Sequence, residues 1–186
     1  MTAANLSDLP PDYAHARVRL RPTMQSDLEF VLSIEHDDVN LPYITPWDRT
    51  QHEAAIRFPD FRHFIIEGGA GLDAVGFMIL IGCRSRHQSL ELKRMVVQDK
   101  GKGYGRAALR VAKKVAFDDL GAHRLWLDVK SHNTRAKSLY DREGFVVEGL
   151  LRESVRVAGG FDSLIVMSML QPEFKTRRAQ GLEMAA

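Results

Sequence analysis

The alternation of apolar and polar positions divides the chain into short strands and amphipathic helices. Ala16 to Arg21 (ARVRLR) alternates and predicts a first strand, ended by Pro22 and Thr23. Ser26 and Asp27 offer a cap for a helix to about Ile34, with Leu28, Val31 and Leu32 inside. Residues 35–49, with Pro42, Tyr43, Pro46 and Trp47, read as an irregular loop, after which Thr50 can cap a short helix to about Phe58. Phe61 to Glu67 predicts a strand and Gly68 to Asp73 a hairpin turn. Ala74 to Cys83 is apolar enough to be a strand buried on both faces. A polar turn over Arg84 to Gln88 leads to another strand, Ser89 to Val97. Its Leu90, Leu92, Val96 and Val97 supply apolar bulk, and Glu91, Lys93 and Met95 point to the opposite face.

The period then changes from two to 3.6. Beyond a glycine loop, Lys100-Gly101-Lys102-Gly103-Tyr104-Gly105, positions 104, 108, 111, 112, 115 and 116 form one face of a helix from Tyr104 to about Asp119. Gly121 ends it, and Arg124 to Lys130 (RLWLDVK) alternates as a strand. Asn133 or Thr134 caps a short helix whose inner face is Ala136, Leu139 and Tyr140. Gly144 closes that helix and Phe145 to Glu148 forms a strand. Glu153 to Val157 and Leu164 to Leu170 make a hairpin around Ala158 to Phe161. Residues 1–15 read as a flexible arm, 16–170 as a single domain and 171–186 as a charged, frayed tail. The order predicts an α/β (α+β) fold with a mixed, mostly antiparallel central sheet of about seven strands and helices on both faces.

Composition narrows the classes of function. The 186 residues are 45% apolar and 27% charged, as in an ordinary globular domain, and a net charge of +2 leaves no nucleic-acid footprint. The longest apolar run, Ala74 to Cys83, is too short for a bilayer, so no membrane partner is expected. The N-terminal residues lack the basic and apolar regions of a signal peptide. A single cysteine excludes an internal disulfide, and a reducing cytoplasm is the expected location. Cys83 reads as a small core residue. The histidines at 15, 36, 52, 63, 87, 123 and 132 lack metal-ligand spacing and read as surface or supporting residues, with no metal expected.

The chemistry concentrates in residues 89–106. A strand, a glycine turn and a helix N-terminus make an anion site, because the free N–H groups of the first helical turn point outward and the helix dipole adds positive charge. Lys100, Lys102 and Arg106 add full charges. A P-loop would require Lys-Ser/Thr after its last glycine, where Arg106 and Ala107 stand. A dinucleotide fingerprint would require Gly-x-Gly-x-x-Gly, but the glycines fall at 101, 103 and 105. The loop instead resembles the Gln/Arg-x-x-Gly-x-Gly/Ala pyrophosphate loop of the GNAT acetyltransferases, with Lys100 in place of Gln or Arg and a short link from Val97. A second stretch, Asn133-x-x-Ala136-x-x-Leu139-Tyr140 followed by Glu143-Gly144-Phe145, resembles the GNAT pattern N-x-x-A-x-x-L-Y-x-x-x-G-F. The order of elements over residues 16–170 is also GNAT-like. The ending GLLRESVRVAGGFDSLIVMSML is similar to the branch holding ribosomal-protein N-terminal and small-amine acetyltransferases.

The resemblance implies acetyl-coenzyme A as co-substrate and a primary amine as acceptor, on a small molecule or a protein N-terminus. It leaves room for a homodimer. It implies that the backbone of Met95, Val96 and Val97 pairs with the pantetheine arm. The N–H groups of Gly101, Lys102, Gly103, Tyr104, Gly105 and Arg106, with Lys100 beside them, would hold the pyrophosphate. Asn133 and Ala136 would meet the arm, and Tyr140 would stand beside the sulfur and donate to the departing thiolate. An amine attacks only when neutral. At pH 7 that costs about 4.6 kcal/mol for a lysine-like amine and about 1.4 kcal/mol for an α-amine. Two acids are candidate bases. Glu91 lies four residues before Met95, where histone-type GNAT enzymes carry a general base. Asp128, five residues before Asn133, matches the acid used by some ribosomal-protein acetyltransferases. Each also reads as a plain strand carboxylate paired with Lys93 or Lys130, and Tyr140 as a core aromatic. His36 and Tyr43 fall where the acceptor pocket is shaped in this family, although Tyr43 and Trp47 also suit packing. The competing function is a non-catalytic acyl-coenzyme A sensor or scaffold. The presence of both a tyrosine and sheet acids favours the enzyme.

Overall fold

The computed structural model describes residues 18–183. The expected N-terminal arm, and Ala16 and Arg17 of the expected first strand, lie outside them. Seven strands form one sheet in the order β1-β2-β3-β4-β5-β7-β6. They are β1 (Val18–Pro22), β2 (Phe61–Gly68), β3 (Asp73–Ile81), β4 (Ser89–Val97), β5 (Arg124–Lys130), β6 (Val146–Val157) and β7 (Gly160–Leu170). Every neighbouring pair is antiparallel except β4 and β5. The α/β fold class and the mostly antiparallel sheet of seven strands expected from the sequence are both present.

Helices cover both faces. On one face lie α3 (Tyr104–Lys114), continued by a π turn (Val115–Asp119), and α4 (Thr134–Arg142). The core there joins Leu20, Met78, Leu90, Leu92, Ala108, Leu109, Ala112, Leu125, Leu127, Tyr140 and Met167. On the other face lie α1 (Leu28–Glu35) and α2 (Arg49–Arg57). Its smaller core holds Val31, Ile34, Ile65, Phe77, Ile79 and Val96. The cap of α2 is Asp48, not Thr50: its carboxylate accepts from the Gln51 backbone N–H at 2.8 Å, and Gln51 Oε1 accepts from the Asp48 N–H at 2.9 Å.

Three expectations need correction. Glu91, Lys93 and Met95 do not share one side of β4. The register slips between the pairs Ile79↔Arg94 and Leu80↔Leu92, so Lys93 is an extra residue, a β-bulge. Beyond it the alternation reverses: Met95 and Val97 join Leu90 and Leu92 against the first core, while Val96 packs in the second. Residues 146–157 form one edge strand, with register shifts at Val147/Gly149 and Leu151/Val155, where two separate strands were expected. Finally, residues 171–183 of the expected tail are not frayed. Residues Gln171–Ala179 form α5. Its Phe174 is 1% exposed and stacks on Phe117 at 4.7 Å between ring centroids. Further on, Glu183 pairs with the fully buried Lys113 at 2.6 Å. The charged composition hid this, because one aromatic anchor and one buried ion pair do not make a periodic pattern.

Phe174→Ala is expected to lower the unfolding free energy by about 3 kcal/mol or more, the cost of an aromatic cavity. Urea melts check this; a change within about 0.5 kcal/mol, as for an exposed residue, would mean that α5 contributes nothing to the core.

Candidate active site

β4 and β5 are the only parallel neighbours among the described strands, and they pair over three positions alone: Ser89↔Arg124, Leu90↔Leu125 and Glu91↔Trp126. Beyond Glu91 the strands part. On its other side β4 stays paired to β3 as far as Gly76↔Val97. The β5-facing edge of Leu92–Val97 therefore presents backbone groups without a ladder partner. Backbone N–H and C=O groups demand partners, so this edge is a template for an extended, amide-bearing ligand. Gly76 holds it in place: a Cβ there would sit 2.2 Å from the Val96 carbonyl oxygen.

At the far end of β4 the chain turns through Gly101 and Gly103, with φ of +88° and +82°, a region that L side chains rarely adopt. A Cβ added at either would meet nothing within 4 Å. Gly103 is the N-cap of α3 and supplies no side chain to its first turn. The N–H groups of that turn stay available on an open surface, as a phosphate cradle requires. The cations beside it are already engaged. Lys102 pairs with Asp99 at 2.6 Å and Arg106 with Glu143 at 3.3 Å. Lys100 donates to Asn40 Oδ1. Burial, and secondarily the charge of Arg135, push the Lys100 ammonium below its ordinary range. Arg135 thus belongs to the cation set at this mouth, although only its neighbours in the Asn133–Tyr140 stretch drew notice in the sequence.

The gap between the strands gathers the acidic and phenolic candidates. Asn133 caps α4, its Oδ1 accepting from the Ala136 N–H at 3.1 Å, which leaves its amide N–H₂ free of that role. Tyr140 is 8% exposed, with its ring 5.9 Å from that of Phe145. Burial, with the Asp128 carboxylate adding to it, pushes the Tyr140 phenol up to about 12. Asp128 is near enough to act also on Arg94, and its carboxylate has no hydrogen bond or ion pair among the described residues. Glu91 is instead bonded to Lys93 at 3.0 Å. Glu91 and Asp128 share one side of the sheet, since Glu91 faces Trp126 and Asp128 lies two residues further along β5.

The loop between α1 and α2 roofs that side. Lys130 Nζ donates to the Pro42 carbonyl at 3.0 Å, His132 Nε2 donates to the same oxygen at 3.2 Å, and His132 faces Asp162 of β7 at 3.1 Å. Tyr43 stands over His132, ring centroids 5.6 Å apart, at the mouth. His36 does not: its Nδ1 donates to the Leu32 carbonyl at 2.9 Å and closes the end of α1. Cys83 lies just past β3, half-buried, where burial raises its thiol above the ordinary range.

Beneath the loop runs a buried polar chain that the sequence reading missed. Arg94 pairs with Glu35, donates to the Thr45 carbonyl at 2.7 Å and stacks on Trp47 with its guanidinium 5.0 Å from the ring. His52 Nε2 donates to Glu35 Oε2 at 2.7 Å. His63 Nε2 donates to His52 Nδ1 at 3.0 Å, and Thr23 Oγ1 donates to His63 Nδ1 at 2.9 Å. This ordering satisfies both rings in their neutral forms. Burial above all pushes His63 down to about 3, with its neighbours His52 and Arg94 acting in the same direction and Asp27 opposing. His52 and His63 are thus interior links, not surface residues. A signal was available: His63 falls between Phe61 and Ile65 on the alternating inner face of β2.

The sheet and its cleft are those of an acyltransferase. Residues 17–146 match the family model for the acetyltransferase (GNAT) domain, and the chain belongs to the GNAT acetyltransferase family. It is similar to the spermidine N(1)-acetyltransferase of Vibrio cholerae, 25% identical over 174 residues, covering 88% of this chain and 98% of the relative. The spermidine N(1)-acetyltransferase of Escherichia coli (strain K12) is 26% identical over 172 residues, covering 87% and 89%. A crystal structure of mutant forms of the spermidine/spermine N-acetyltransferase from Vibrio cholerae superposes with a TM-score of 0.75 at 26% identity, covering 87% of this chain and 98% of that one. The spermidine N-acetyltransferase of that organism in complex with CoA and spermine has a TM-score of 0.77 at 24% identity, covering 88% and 99%, and shows the shared fold.

The interior position of His63 carries a pH signature. Its folded value of about 3 lies below the ordinary 6.5, so between these values the unfolded chain binds a proton that the fold refuses. Stability is therefore lost as pH falls through that window, at up to about 1.4 kcal/mol per unit. His63→Gln is expected to be destabilising at pH 7, with the gap to wild type narrowing by about 2 kcal/mol at pH 5. Urea melts at the two pH values measure it, and a constant gap would take His63 out of the buried chain.

Proposed function

We propose that the protein transfers the acetyl group of acetyl-coenzyme A to a primary amine by direct attack on the thioester. The observation that carries this reading is the gap between β4 and β5. It has an unpaired strand edge on one side, an open helix N-terminus at its end, and Asp128 and Tyr140 at its middle. The names of the relatives support an amine acceptor.

Acetyl-coenzyme A supplies the activated acyl group. Met95, Val96 and Val97 offer backbone partners to the pantetheine amides, and Gly101 to Arg106 offer N–H groups to the pyrophosphate. Asn133 and Ala136 line the arm's exit. Asp128 accepts the proton that the incoming ammonium must lose, and its freedom from any ion pair favours it over Glu91, which is tied to Lys93. Tyr140 donates a hydrogen bond to the sulfur as the carbon–sulfur bond breaks. At a value of about 12, handing its proton fully to a thiolate near 8.5 would cost about 4.8 kcal/mol. The phenol therefore acts as a donor that keeps its proton, and water completes the thiol.

Release of free thiol in the presence of acetyl-coenzyme A and an amine panel tests the reading. Gly103→Asp sets a negative side chain at the open turn and should weaken coenzyme A binding at least tenfold by calorimetry, about 1.4 kcal/mol. Unchanged affinity in a folded variant would move the phosphate site elsewhere.

The two carboxylates are separated by their own variants. Asp128→Asn is expected to lower kcat about 10²-fold near neutral pH with coenzyme A affinity kept within a few-fold, and Glu91→Gln to lower it less. The reverse ranking would make Glu91 the base.

A further inference from the structure

A groove of about 350 Å³ opens beside the candidate site, lined by Trp47, Gln51, Ala54, Ala55, Phe58 and Phe61. Gln51 is its one polar residue, and it has no carboxylate. Trp47, Gln51, Ala54 and Phe58 are spaced three or four residues apart and form a stripe from the loop along α2. Phe58 stands at the rim, 62% exposed. Exposure of so large an aromatic beside a concave apolar surface is the feature that asks for an occupant.

The register ties this groove to the site. Phe61 pairs with Ile81, Ile81 with Glu91, and Glu91 with Trp126. Residues directly opposite one another project from the same side of a sheet. The four therefore form one row, with Phe61 two strands from Glu91, about 10 Å at the spacing of adjacent strands. Trp47 belongs to both places: it lines the groove, and its ring carries Arg94, which lies in the field of Asp128. The floor between the two is Ile81. Lys93 is paired with Glu91 and Arg94 with Glu35, and Lys130 donates to the Pro42 carbonyl, so the groove's own lining, which carries no charged residue, decides what it takes up.

We propose that the Trp47–Phe58–Phe61 groove is the acceptor's specificity subsite, and that the preferred substrate is a primary amine carrying an aromatic or other large apolar group a few bonds from the nitrogen. This rests on the amine acyltransferase reading. The amine sits between Asp128 and Glu91, the linker crosses Ile81, and the apolar group fills the groove. Removing an aromatic ring from water in this way favours binding in proportion to the apolar area buried.

The test compares 4-phenylbutylamine, butylamine and spermidine as acceptors at saturating acetyl-coenzyme A. Wild type is expected to show a kcat/KM for 4-phenylbutylamine at least tenfold above that for butylamine, and above that for spermidine. Ala54→Glu and Ala54→Lys place a charged side chain over the groove from an exposed position of α2, with residues that helices accept well. Both are expected to cut the 4-phenylbutylamine-to-butylamine ratio at least tenfold, whichever sign of charge is introduced. Equal ratios in wild type and both variants, or a preference of wild type for spermidine, would overturn the groove assignment while leaving the amine acyltransferase reading intact. Acetylation of none of the three amines would instead overturn both.

Discussion

The early parting of β4 and β5 is the constraint on which the rest depends. Parallel strands normally run side by side to their ends, because every unmade ladder bond leaves a backbone group that needs water or another partner. Here the ladder stops after Glu91↔Trp126. Each strand is held on its outer side, β4 by β3 and β5 by β7 along its whole length from Arg124↔Leu170 to Lys130↔Leu164. Each strand is thus committed to its outer neighbour, and the inner edges lie apart beyond Glu91. A wedge with one unsatisfied edge is the physical basis of the proposed site, in which a ligand's amides would take the place of a strand.

The other costly feature is the buried chain from Arg94 to Thr23. Glu35 and His52 are both 0% exposed, and removing charges from water costs several kcal/mol per ion before any pairing. The offset comes from complete satisfaction. Glu35 is met by Arg94, His52 and the Trp47 N–H, and both imidazoles have donors and acceptors aligned. The Thr45 carbonyl and the Trp47 ring are thereby fixed to β4. The loop that roofs the acceptor side has no regular structure of its own, and this chain gives it a single position.

Much of the fold was legible in the sequence because periodicity reports one-sided burial. The six positions of the α3 stripe and the alternation of β5 are all found facing the first core. The glycine turn was legible for a different reason: only glycine tolerates the conformation at 101 and 103. What escaped was polar and long-range. Glu35, His52, His63 and Arg94 look in sequence like ordinary surface residues of four separate elements, and their partners lie 11 to 59 positions away. Lys113 is the same case, a lysine adjacent to a helix's apolar stripe that is buried because Glu143 and Glu183 reach it. Asp128 and Glu91 were both visible as candidates, but their ranking needed the Lys93 contact that only the folded chain shows.

The bulge at Lys93 joins these two features in one residue. Without it, β4 would alternate evenly from Ser89, and Arg94 would project into the apolar core with Leu90 and Leu92. With it, the strand changes phase at the point where it leaves β5. Arg94 passes to the side of α1 and α2, where Glu35 and the loop are, while Met95 and Val97 turn to the side of α3 and α4. The segment facing the gap thus keeps apolar side chains toward the helix that carries the glycine turn and sends Arg94 to the side of α1 and α2. In the proposed reading, one inserted residue separates two tasks, holding the coenzyme from one face of the sheet and shaping the acceptor pocket on the other.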